Sequence, residues 1–131
     1  MSFFVSDEEF KKLCESVLKL DPGVRFIVII DSQGQSVSGG QREGNQNYLE
    51  PLDQQLSIKH ALESWRLRTQ FADKIGPAKF ALAVYEKLRR YTVPIDQNHL
   101  LYITTEPDIS YHSFMQDVLN LVETYKKNSN S

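Results

Sequence analysis

Apolar residues recur along this chain at two different periods, and each change of period marks a new element. "SDEEFKKLCESVLKLDPG" has the helical period, with Phe10, Leu13, Cys14 and Val17 on one stripe. Ser6 and Glu9 have capping-box spacing at its start. Asp21-Pro22-Gly23 ends it, because proline disfavours helix in the residue before it and glycine frees the turn. "VRFIVIID" then switches to the period of a strand. Val24, Phe26, Val28 and Ile30 fall on one side, Ile27 and Ile29 on the other. A strand apolar on both sides is covered on both, so it belongs in the middle of a sheet. "SQG" reads as a tight turn in which Gly34 supplies a positive φ, and "QSVSGG" as a short polar edge strand.

A long helix is expected over about 50–75. Pro51 suits its first turn, Glu50 and Asp53 suit its positive end, and Gly76-Pro77 ends it. Leu52, Leu56, Ala61, Leu62, Trp65 and Ala72 form an imperfect stripe, with Ile58 and Phe71 off its axis. That stripe is broader than one buried face needs, which fits contact with a partner as well as with the sheet. "AKFALAVYEK" reads as a third strand. Phe80, Leu82 and Val84 lie on one side. Ala81, Ala83 and Tyr85 lie on the other, which is small enough for a helix to approach closely. "LRRYTVPI" is a fourth strand, with Pro94 at its end or at a bulge because it cannot donate to a ladder. Asp96-Gln97-Asn98 turns the chain into "HLLYITTE", a fifth strand apolar on both sides. Pro107-Asp108 opens the last helix, whose inner stripe is Tyr111, Phe114, Met115, Val118, Leu121, Val122 and Tyr125.

The order α-β-β-α-β-β-β-α, with three later strands as a meander, predicts an α+β fold. It is a three-layer α/β/α sandwich around a five-stranded, mostly antiparallel sheet. The 131 residues suit one domain, with a core over about 8–125, a flexible loop over about 39–48 and a frayed tail over 126–131.

Composition narrows the function classes. Hydrophobic residues make up 40% and charged residues 24%, as in ordinary globular domains. The net charge is −2 and the pI about 5.9, which argues against broad nucleic-acid binding. A single cysteine, Cys14, allows no internal disulfide and fits a reducing cytoplasm. The opening Met-Ser-Phe-Phe-Val turns acidic at once and does not read as a secretion signal. No stretch reaches the roughly 18–20 apolar residues of a membrane span. The expected location is cytoplasmic.

Candidate chemistry is sparse. Gly34 and Gly39 copy the glycine spacing of a phosphate-binding P-loop, but Gly40 and Gln41 stand where the lysine and the Ser/Thr must be. The reading is a hairpin turn followed by a loop. His60, His99 and His112 show no metal-ligand spacing and read as satisfied or exposed histidines. No GxSxG elbow is present, and Cys14 sits on an apolar stripe as a small hydrophobe. Hence no catalytic residue, metal or cofactor is expected. "EKLRRY", with Arg66 and Arg68, reads either as a positive patch for an acidic partner or nucleic acid, or as a solvated strand end paired to Glu86 and Glu106. The overall charge favours the second. Trp65 fits both a core position and a dimer contact, since Trp and Arg are enriched at binding hot spots. Tyr85, Tyr91 and Tyr102 with His99 suggest an alternative, a small-molecule sensor or enzyme with a pocket between sheet and helices.

The strand order, with "VRFIVIIDSQGQSVS" as first hairpin and "KFALAVYEKLRRYTVPIDQNHLLYITTE" as meander, resembles the roadblock superfamily, whose layering is similar to profilin and longin folds. The resemblance spans roughly residues 8–125. It rests on a "VxxxxxxDxxGxxxS" hairpin and the "YTVPIDQNHLLYITT" ending, which are topological signals more than signatures. The block from the second helix through the meander is also similar to small uncharacterised archaeal proteins, a likeness that carries no function. The roadblock resemblance implies a non-enzymatic module that dimerises through its second long helix and third strand into one continuous sheet. It implies a scaffold, or a regulator of a small Ras-like GTPase. Carried onto this chain, the interface candidates are Leu62, Trp65, Arg66 and Arg68 on the helix and Lys79, Ala81, Ala83 and Tyr85 on the strand. The loop "GGQREGNQNYLEP" is longer and more polar than the family pattern.

Overall fold

The computed structural model describes residues 2–129, with side chains over 8–128. The chain order is α1 (Ser2–Leu18), β1 (Val24–Asp31), β2 (Ser36–Gln41), α2 (Pro51–Thr69), α3 (Ala72–Ile75), β3 (Ala81–Val84), β4 (Arg89–Asp96), β5 (His99–Thr105) and α4 (Tyr111–Ser129). Every strand pairing is antiparallel, and the sheet runs β2-β1-β5-β4-β3. The meander brings β5 back beside β1, so the two strands apolar on both sides occupy the centre. The expected sandwich is therefore present, with α3 as an additional single turn.

α1 and α4 cover one face of the sheet. Phe10, Leu13 and Val17 meet Ile27 and Ile29 of β1, Tyr91 and Val93 of β4, and Phe114, Val118 and Val122 of α4 in one core. Val24 joins this side rather than that of Phe26, because the pairing with β5 shifts register between Val24 and Phe26. Among the described residues, α2 alone covers the other face. Ile58, Ala61, Leu62 and Trp65 seat on Val28, Ile30, Leu100 and Tyr102. The i, i+3, i+4, i+7 spacing of these four residues is one helical face.

Several expectations change in detail. α1 starts at Ser2, so Ser6 lies inside the helix rather than at its cap, since a helix once nucleated extends at little cost. The expected side-chain bond between Ser6 and Glu9, and tail residues 130–131, lie outside the described residues. Ile58 faces the sheet, whereas Leu52 and Leu56 face solvent. The helix expected over 50–75 breaks after Thr69, and Ala72 falls in α3. β3 is shorter than expected because the Tyr85 N–H donates to the Leu88 carbonyl at 2.8 Å and closes a turn. Tyr111 is exposed at the start of α4, beneath the Arg89 guanidinium.

The first hairpin follows its sequence closely. Gly34 has φ 82°, and its N–H donates to the Asp31 carbonyl at 3.0 Å. β2 continues through Gly39 and Gly40 to Gln41, which pair with Val28, Ile27 and Phe26, so the loop begins only at Arg42. Gly39 is required there: at φ 101°, a Cβ would collide with the Ile27 carbonyl oxygen and sit 2.9 Å from the Val28 Cα. Pro94 stands where the pairing of β4 with β5 slips, as its missing N–H demands.

Candidate functional site

The two faces of the sheet are covered unequally. On the α2 side, the helix rests on β1 and β5 and touches the outer strands only at its margin, packing near Ala81 of β3 and bonding Arg90 of β4. Strand parity puts Ala81 opposite Thr92 and Ala83 opposite Arg90 on the strip formed by β3 and β4. The two alanines leave a shallow, half-buried floor. Beyond them the sheet ends, because among the described residues β3 has β4 as its one neighbour and its outer edge faces no strand. Val84, at the end of this edge, is 68% exposed. On α2, Leu56 at 63% and Leu67 at 60% are exposed. A bare edge, a floor of small residues and a half-apolar helix therefore lie next to one another.

The expected interface residues divide between this surface and the core. Leu62 and Trp65 are buried against the sheet. Arg66 donates to the Ser32 carbonyl, and Arg68 lies 5.9 Å from the Trp65 ring centroid. Lys79 and Tyr85 are exposed, and Ala81 and Ala83 form the floor. Exposed Leu52, Leu56 and Leu67 complete the outer side of α2. Leu67 is the member that the sequence reading missed, although it repeats the side of Leu56 three turns on.

The arginines expected as one patch have separate structural partners. Arg89 donates to the Ile109 carbonyl at 2.5 Å, and Arg90 is buried against α2. Glu106 pairs with Arg25, at 2.5 Å, rather than with the 86–91 cluster. Arg25 also donates to the Gln46 carbonyl at 2.6 Å and lies 4.2 Å from the Tyr48 ring centroid. Arg42 donates to the Val24 carbonyl at 2.5 Å and to the Asp21 carbonyl at 3.1 Å. These two arginines, which sequence reasoning passed over, tie down both ends of the polar loop. The signal was a charge kept inside an otherwise apolar "VRFIVII".

The pocket suggested by Tyr85, Tyr91, Tyr102 and His99 does not gather those residues. Tyr85 and Tyr102 line a cleft of about 620 Å³ between α2, the β3–β4 turn and the loop. Tyr91 points to the opposite core and bonds Thr105 Oγ1 at 3.0 Å. His99 sits at the far turn, 2.9 Å from Asp96 and packed on Phe10. Burial raises the Tyr102 hydroxyl above its ordinary range, while bonds from Ser57 and Arg90 oppose that shift. Burial pushes the Cys14 thiol up to about 11, so the sulfur stays protonated and inert near neutrality. Among the described residues no three His, Cys, Asp or Glu side chains converge on a common point. No described helix is long and apolar enough to cross a membrane.

No protein-family model matches the chain, and no curated protein matches it in sequence. Solved structures match it in fold. The Roadblock/LC7 domain from Streptomyces avermitilis superposes with a TM-score of 0.69 at 10% identity, over 92% of this chain and 98% of that one. Myxococcus xanthus MglB gives 0.68 at 11% identity, over 94% and 91%. The gliding protein MglB from Thermus thermophilus gives 0.66 at 14% identity, over 92% and 90%. The chain has the roadblock fold.

Proposed function

We propose that this chain is a non-enzymatic interaction module that pairs with a second copy through α2 and β3 and offers the assembled surface to a small GTPase-type partner. The observation that carries the reading is the half-covered sheet face. The strip over Ala81 and Ala83 has room for one more helix, and β3 has room for one more strand. A second copy, turned by a two-fold axis, supplies both at once. Its β3 extends the sheet across the bare edge, and its α2 lies beside the first with the exposed leucines between them. A two-fold contact of this kind is self-complementary, which an edge strand and an apolar helix side both satisfy. Covering an exposed edge also removes a site of uncontrolled strand pairing. Leu62 and Trp65 act from beneath, by fixing α2 on the sheet.

The GTPase half rests on the fold and on the family resemblance. Its test is a titration of the purified protein against small GTPases of the source cell, each loaded with GDP or a GTP analogue. Binding that depends on the nucleotide, and that is lost in a Leu67→Glu/Val84→Glu variant, supports the reading. No binding in either state across the set contradicts it.

A further inference from the structure

We infer that the cleft beside α2 is a binding site for a small carboxylate with an apolar body, held by Arg90. Arg90 is 9% exposed, on β4 at the floor of the cleft. It makes no ion pair among the described residues. None of its partners is a carboxylate: they are Ser57 Oγ at 3.0 Å, the Ser57 carbonyl at a long 3.5 Å and His60 Nδ1 at 3.4 Å. A guanidinium presents five donors in a planar fork that matches a carboxylate. Burying that charge without an anion is costly, so an incoming carboxylate gains more here than at the surface.

The surroundings select the rest of the ligand. Phe26, Leu49, Leu56, Leu88 and the ring of Tyr102 give the cleft apolar walls. The volume of about 620 Å³ lies within the range of small-molecule sites. Lys87 also lines the cleft and adds positive charge, against one acidic neighbour, Glu86. The Tyr102 hydroxyl, already bonded to Ser57 at 2.8 Å, stands near Arg90 as a second polar group. Tyr48 lines the cleft from the loop, held by Arg25, so a bound ligand would lie under a tethered segment. A free phosphate would leave these apolar walls unused, which is why the carboxylate with an apolar body is the better occupant.

The experiment is a titration of the full ¹⁵N-labelled chain with a panel of aromatic and branched aliphatic carboxylic acids, each beside its primary amide. The expected result is saturable shifts at Leu56, Ser57, Arg90 and Tyr102, with the acid binding roughly tenfold or more tightly than its amide, the scale of one charge-assisted bond. Arg90→Met abolishes that preference. Arg90→Lys, which keeps the charge without the fork, weakens acid binding while keeping the folded spectrum. The Leu67→Glu/Val84→Glu variant still binds, which separates this site from the proposed pairing. Acids binding no better than amides across the panel overturn the inference. So do ligand shifts outside the cleft. Loss of acid binding as the wild-type chain associates also overturns it, since the cleft is then filled by the second copy.

Discussion

Ser57 on α2 and Tyr102 on β5 share a hydrogen bond of 2.8 Å across the boundary between helix and sheet. Arg90 donates to the same Ser57 oxygen at 3.0 Å, so one hydroxyl joins three elements. Tyr102→Phe keeps the ring in its apolar seat and removes the hydroxyl's bonds to Ser57 and Arg90. The expected loss is about 1–3 kcal/mol, spanning the usual net values of a neutral bond and a bond to a charged group. Urea unfolding of the two proteins measures it; an unchanged midpoint shows that these bonds do not fasten α2.

Gly39 is held where no side chain fits, and Gly44 shares its positive φ in open space. Gly44→Ala is expected to cost about 1–2 kcal/mol, from the left-handed backbone alone. Gly39→Ala adds a collision with β1 and is expected to cost about 3 kcal/mol or more. Thermal unfolding of the pair separates strain from overlap. Equal losses are incompatible with the close approach of β2 to Ile27.

Cys14 links stability to alkaline pH. The unfolded thiol titrates at 9.0, and the buried one at about 11. Between these values the unfolded chain has released a proton that the native chain retains. Stability is therefore intact below pH 9 and falls as pH rises toward 11, by at most about 1.4 kcal/mol per pH unit. Tyr102, also raised by burial, acts in the same direction above pH 10. Denaturant titrations of wild type and Cys14→Ala from pH 8 to 11, a scan range of about three units, isolate the cysteine term. Parallel curves remove it.

Arg25 anchors the polar loop through Glu106, Gln46 and Tyr48. Arg25→Ala is expected to cost about 2 kcal/mol, the scale of a charged hydrogen bond. It also raises amide exchange over residues 43–49 while leaving β4 and β5 protected. Unchanged exchange in the loop shows that Arg42 alone holds it.

β1 and β5 were legible because their apolar residues fill both parities, which leaves the sheet centre as their only place. Gly34 and Pro94 were legible because each has a backbone limitation with few solutions. α2 was harder. It carries apolar residues on two sides, and periodicity cannot tell whether Ile58 or Leu56 meets the sheet. The winning side combines Ile58 with Trp65 and the small Ala61, which together match the surface over Val28 and Leu100. The arginines were illegible for a different reason. Arg66, Arg89 and Arg90 are near in sequence or type, but their partners are Ser32, Ile109 and Ser57, which only the folded chain brings to them. The grouping of Tyr91 with Tyr102 failed because β4 and β5 turn those side chains to opposite faces.

The pairing of two copies through α2 and β3 is the central claim, and sedimentation equilibrium tests it directly. Wild type and Leu67→Glu/Val84→Glu are compared from micromolar to near-millimolar concentration. Both substitutions lie on exposed side chains, so the variant should keep its circular dichroism and unfolding midpoint. The account predicts a wild-type mass approaching twice the 15.1 kDa protomer and a variant that stays at 15.1 kDa. A wild type that remains monomeric at the highest concentration, or a variant that dimerises as tightly as wild type, contradicts it.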